Sequence, residues 1–207
     1  RSRSADVPAR PPRLAPPGGI VIVLTIDALR ADVADGRHAD QLPHLEALRN
    51  EAIEFSRARA PSPSTVTSVM SFFTGKYYSG LYWTEFNEEG RFKGSIMTHE
   101  DPSIQLPRLL SEGGVRAVHL ISLHGLASKL GVGVGFDEEI RTRSDYGRAE
   151  DLMDRALARL ERHDDSPLFM YLHFVDSHAP YTRGGKRGAP YERYLRELAL
   201  VDRELGR

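Results

Sequence analysis

The chain has 207 residues, 40% of them apolar, enough to bury the core of one sizeable α/β domain. A formal net charge of −1 lends no support to a nucleic-acid surface, which carries a concentrated basic patch. The absence of cysteine excludes disulfides, thiolate catalysis and zinc–thiolate sites, and no apolar run approaches the roughly 20 residues that a membrane-spanning helix needs.

Residues 1–19 hold five of the 13 prolines, with Arg1, Arg3, Arg10 and Arg13 among them. They read as a semi-rigid, mostly extended linker. The globular part starts at Ile20. The run Ile20-Val-Ile-Val-Leu-Thr-Ile26 is continuous and apolar, as expected of a strand buried on both faces of a parallel sheet. It stops at Asp27. Leu45, Leu48, Ala52 and Phe55 recur at helical spacing and predict an amphipathic helix over 43–55. A turn-rich stretch, Ala60-Pro-Ser-Pro-Ser64, leads into a helix over 65–74 that ends at Gly75. Residues 77–100, rich in aromatics and glycine, form a surface excursion with a short hairpin around Asn87–Gly90. Regular alternation then resumes: helix 103–112, strand 115–122, helix 149–163, strand 168–175, helix 191–205. Strands alternating with helices imply an α/β fold, a mostly parallel sheet with helices on both faces.

Ligands of such sheets gather at the carboxyl ends of the strands. Asp27 follows the first strand, and Asp176-Ser-His178 follows the last. The strand ending at Ser122 is followed by His124. A carboxylate at Asp27 suits a divalent cation, and suits a turn or helix cap equally well. Hydroxyl residues cluster around Thr65, where a helix begins. Capping accounts for such a cluster; so does a nucleophile held against the free amides of a helix N-terminus. A threonine hydroxyl would need a base or a metal to activate it.

Several of these segments, in order, resemble the opening of sulfatase and alkaline-phosphatase superfamily catalytic domains. Ile26-Asp27-Ala-Leu-Arg-Ala-Asp32 is similar to the family's strand ending in a metal-binding aspartate. Leu42-Pro43-His44-Leu45-Glu46-Ala47-Leu48, through Phe55, resembles its Pro-x-Leu-x-x-Leu helix. Counting back from Thr74-Gly75 puts Thr65 where sulfatases carry the cysteine of Cys-x-Pro-Ser-Arg. Gly135-Phe136-Asp137 and His173-Phe-Val-Asp-Ser-His178-Ala-Pro-Tyr181 also fit. The resemblance implies a metal-dependent enzyme with Thr65 and His178 catalytic, and with Asp27 and Thr65 on a divalent ion such as Zn, Mn or Ca. It implies His178, His124 and Lys76 as substrate-binding groups.

The departures are informative. A threonine cannot become formylglycine, and Thr67 and Val69 stand at the motif's proline and arginine positions. Ala28 replaces a second aspartate, and Ser122 replaces the lysine of a Lys-x-His element that His124 would complete. A threonine nucleophile resembles the branch that includes phosphoethanolamine transferases and lipoteichoic acid synthases. That branch implies a phosphate-ester substrate on a lipid or glycan, and an extracytoplasmic, membrane-tethered location. The resemblance also implies an Asp-His-Gly segment beyond the last helix. No Asp-His pair occurs in this sequence, so residues 20–207 are expected to be the N-terminal part of such a domain, lacking the distal half of its metal site. Sulfate-ester hydrolysis by an unmodified hydroxyl and a catalytically inactive sulfatase-like domain stay open as alternatives.

Overall fold

The computed structural model describes residues 18–207, so the expected linker lies largely outside the described residues. Four parallel strands form the main sheet in the order β1 (Ile20–Ile26), β6 (Leu168–Phe174), β4 (Arg116–Ile121), β5 (Glu138–Arg141). Period-two alternation splits β6 between two cores. Phe169 and Tyr171 meet α3 (Thr65–Thr74) through Val69, Met70 and Phe73. Met170, Leu172 and Phe174 meet α5 (Ala149–Leu160) and α6 (Pro190–Leu205) through Leu152, Met153, Ala156 and Val201. The expected α/β architecture is the one observed.

Details differ. β1 is not buried on both faces. It pairs with β6 and forms an edge of the sheet, and Ile20, Val21, Ile22 and Leu24 are 40–54% exposed. An unbroken apolar run specifies a strand but not what lies along its outer side. The helix predicted over 43–55 stops early, as α2 (Pro43–Glu51), because Ile53 and Phe55 find nothing to bury against. The hairpin is wider than Asn87–Gly90: β2 (Thr84–Glu85) pairs antiparallel with β3 (Ile96–Met97). The helix before β4 is shorter than predicted, as α4 (Leu106–Glu112). Among the α-helices and strands, two were not foreseen, the single turn α1 (Ala31–Ala34) and β5. β5 reads Glu-Glu-Ile-Arg, whose charge conceals a strand; at a sheet edge those charges are satisfied. Glu138 takes the guanidinium of Arg159 from α5, and Glu139 takes that of Arg141.

α2 is held by a residue far away in sequence. Its first turn has no side-chain cap of its own. The buried carboxylate of Asp202, on α6, accepts the amides of Leu45 at 2.7 Å and His44 at 3.3 Å. Asp202→Ala leaves both donors without a partner and should cost about 1–2 kcal/mol in urea unfolding. An unchanged midpoint would contradict the cap.

Glu139 makes the fold acid-sensitive. Burial pushes its carboxyl up, but the His119 ring, the Ser128 amide and the Arg141 guanidinium outweigh that and hold it down at about 2. A carboxyl depressed in the folded state stabilises above its ordinary value, near 4.5, and that stability is lost as pH falls towards 2. Glu139→Gln should therefore lower stability at pH 7 by on the order of 2 kcal/mol and flatten its decline between those pH values. Parallel unfolding curves of the two proteins across that window would refute this.

Candidate functional site

The carboxyl end of β1 and the amino end of α3 meet in a cleft of about 540 Å³. Asp27 leaves β1 with its amide donated to the Phe174 carbonyl at 2.9 Å, and its own carbonyl accepts the hydroxyl of buried Ser177. The next residue, Ala28, turns the chain with φ of 54°. The carboxylate is thus anchored on both sides and directed at α3.

α3 reads Thr-Val-Thr-Ser-Val-Met-Ser-Phe-Phe-Thr, rich in β-branched and hydroxyl residues that favour helices weakly. Burial of Val69, Met70 and Phe73 sustains it, and Gly75 closes it in the left-handed region at φ 67°. Thr65 occupies the first helical position, with Oγ1 at 3.2 Å from both carboxylate oxygens of Asp27. The N-cap residue, Ser64, makes no side-chain cap. Ser62 accepts the Ser64 amide at 3.1 Å instead, and its carbonyl takes the Ser68 hydroxyl at 2.9 Å. The first amides of α3 therefore have no cap from Ser64, which is the condition for binding an anion there.

His178 borders the same cleft. Its Nδ1 lies 2.9 Å from the Ala179 carbonyl, an acceptor, which assigns the ring proton to Nδ1 and leaves Nε2 as the other nitrogen. Asp27, Thr65 and His178 are thus brought together. His124 and Lys76 are not among the residues lining the cleft. The His124 amide donates to Asp145 at 2.7 Å, and its Nε2 sits 3.2 Å from the Thr142 carbonyl. Lys76 follows the far end of α3, about 15 Å along the axis from Thr65, and donates to Ser103 at 2.8 Å.

Sequence reasoning passed over the floor of the cleft. Strand register sets Thr25 beside His173, and Thr25 Oγ1 lies 2.8 Å from His173 Nδ1 and 3.0 Å from the Tyr171 hydroxyl. Burial pushes the His173 imidazole down to about 4, against the pull of Asp27, so the ring is neutral at pH 7. The available signal was the spacing: Tyr171 and His173 sit two apart in an apolar strand, on the face where Thr25 interrupts its neighbour.

The sulfatase family model matches residues 20–207. No curated protein matches the chain in sequence. The lipoteichoic acid synthase LtaP from Listeria monocytogenes is similar in structure, with TM-score 0.69 and 18% identity, over 92% of this chain and 51% of that one. The C-terminal periplasmic domain of the phosphoethanolamine transferase EptC from Campylobacter jejuni aligns with TM-score 0.62 and 15% identity, over 90% and 61%. A protein of the alkaline phosphatase superfamily from Vibrio parahaemolyticus aligns with TM-score 0.65 and 17% identity, over 93% and 49%. At such identities the likeness is one of fold, and the chain spans half to three-fifths of the length of these structures.

Proposed function

Given that the chain belongs to the sulfatase family, with the fold of the alkaline phosphatase superfamily, we propose that it hydrolyses or transfers phosphate esters with Thr65 as the nucleophile. The observation that carries this reading is the Thr65 hydroxyl at 3.2 Å from both Asp27 oxygens, on a helix N-terminus without a side-chain cap. Asp27 takes the hydroxyl proton as Thr65 Oγ1 bonds to phosphorus. The phosphoryl oxygens face the amides and positive dipole end of α3. His178, as imidazolium, gives its proton to the departing alkoxide. In the second half, a water or an alcohol acceptor loses its proton to neutral His178 and attacks phosphorus. The Oγ1–P bond breaks, and Thr65 recovers its proton from Asp27.

Asp27 and Thr65 are also the oxygens this chain would offer a divalent cation. Among the described residues no group of three or more His, Cys, Asp or Glu is placed to hold one. Two oxygens fall short of the three protein ligands usual in catalytic zinc sites, so this donor set alone does not fit a tightly held ion. The reading places the protein outside the cytoplasmic membrane, as the EptC domain it resembles is periplasmic. Among the described residues no helix is long and apolar enough to cross a membrane.

Intact mass spectrometry after exposure to an aryl phosphodiester tests the nucleophile. An aryl-phosphoryl adduct should form, map to Thr65 and be absent from Thr65→Ala. An adduct on another residue, or one that survives the substitution, sinks the reading. The sulfatase family match favours one second reading, hydrolysis of a sulfate ester by the same unmodified hydroxyl. Turnover of an aryl sulfate compared with the matching phosphodiester separates the two.

A further inference from the structure

Of Asp27, Thr65 and His178, only the histidine is exposed. Among the described residues its ring makes one hydrogen bond, between Nδ1 and the Ala179 carbonyl, and meets one aromatic ring, that of Tyr146. The two ring centres are 5.2 Å apart and the planes are tilted by 60°. A proton donor must stay within reach of the atom that it serves, and a surface imidazole turns between rotamers unless a neighbour holds it. Here that neighbour is Tyr146.

Tyr146 lies in the irregular stretch between β5 and α5, with φ of 54°. An L-residue keeps such a conformation where its surroundings impose it. Its amide donates to Asp145 Oδ1 at 3.0 Å. Its carbonyl accepts Nη2 of Arg183. Nη1 of the same guanidinium donates to the Gly147 carbonyl at 3.2 Å and to Asp176 Oδ1 at 2.9 Å. Asp176 is buried and lies in the turn after β6 that carries His178, whose amide donates to the Val175 carbonyl at 3.0 Å. One planar fork therefore ties the stretch holding Tyr146 to the turn holding His178. Arg183 is itself pinned. Its amide and that of Gly184 donate to Glu197 Oε1 at 2.5 and 3.1 Å, and Glu197, on α6, is fully buried.

Neutralising Asp176 needs one positive charge, which a lysine also supplies. The two further bonds, to the carbonyls of adjacent residues, use a forked geometry that lysine lacks. We propose that Arg183 is a positioning residue for the reaction. Its guanidinium fixes the Tyr146 backbone, and the Tyr146 ring then holds the His178 imidazole in the orientation from which it protonates the departing alkoxide. The proposal rests on the phosphate-ester reading, in which His178 is that proton donor.

The test compares Arg183→Lys with the parent, in the full chain and with two esters. A 4-nitrophenyl phosphodiester releases a stable phenolate that needs no proton, whereas a dialkyl phosphodiester releases an alkoxide that does. Adduct formation at Thr65 should slow about 10²-fold with the alkyl ester. With the nitrophenyl ester it should stay within about threefold of the parental rate. Tyr146→Gly, which suits the positive φ, should show the same split. Adding Arg183→Lys to His178→Ala should cost nothing further, because the arginine acts through the histidine. Equal slowing with both esters, or a further loss in the His178→Ala background, would make Arg183 a residue of the fold and overturn the proposal. Nuclear Overhauser contacts between the Tyr146 and His178 rings, recorded on the free protein, give a readout that does not depend on the nucleophile. They should be present in the parent and lost in Arg183→Lys, and their survival would also overturn the proposal. If the parent forms no adduct, the Thr65 reading fails by itself, and the ring contacts still decide whether Arg183 positions His178.

Discussion

Asp27→Asn should slow the formation of the Thr65 adduct by about 10²–10⁴-fold, the range lost with a positioned general base. The carboxylate accepts the Thr65 hydroxyl at 3.2 Å through either oxygen. An amide presents one acceptor and one donor, and it cannot take the proton away. The backbone anchors of Asp27, to the Phe174 carbonyl and from Ser177, do not involve the side chain and survive the change. The loss should therefore appear in the rate while the melting temperature stays close to that of the parent. Combining the substitution with Thr65→Ala should cost no more than Thr65→Ala alone, because the two groups act as a unit. An adduct that forms at the parental rate in Asp27→Asn would leave Asp27 without a role in proton transfer.

The parts of this site that were legible in the sequence are those where chain order and strand or helix polarity do the positioning. An apolar run that stops at Asp27 is a strand with its carboxylate at the carboxyl end. A Ser/Pro turn before Thr65 and a Thr-Gly pair after it mark a helix with Thr65 at its start. Those signals are local, and the structure brings their ends into one cleft. Lys76 shows the limit. It lies eleven positions from Thr65 in a segment that resembled the family, but the rise of α3 carries it to the opposite end. His124 shows another, since its amide is tied to Asp145, a residue whose significance depends on a loop that closes in three dimensions. The exposure of β1 was illegible for the same reason that its identity was plain: a run broken only by Thr25 has no alternating polar face to report which side is open. β5 was concealed in the opposite way, its charges hiding the strand until Arg159 and Arg141 are brought against them. The positive φ of Tyr146 and Tyr181 left no trace in pattern at all, because such a conformation at a non-glycine residue is set by its tertiary partners.

Phe73→Ala should be among the most destabilising single changes, costing about 3–5 kcal/mol, the range for a buried phenylalanine truncated to alanine. The side chain is 2% exposed and is the deepest aromatic contact between α3 and the sheet. Its ring meets Tyr171 at 5.0 Å, Phe136 at 5.6 Å and His119 at 6.1 Å, each edge-on. For a chain of this size that cost corresponds to a fall on the order of 10 °C in melting temperature. The neighbouring Phe72 is the control. It is 50% exposed and borders the cleft, so Phe72→Ala should cost within about 1 kcal/mol. The pair separates the seating of α3 from the chemistry at its start. If Thr65 is held by α3 as a rigid body, loosening the helix through Phe73 should also slow the proposed adduct, although Phe73 lies two turns from Thr65. If Phe73→Ala instead left the adduct rate at the parental level, then Asp27 and the turn at 62–64 would position Thr65 without help from the helix that follows.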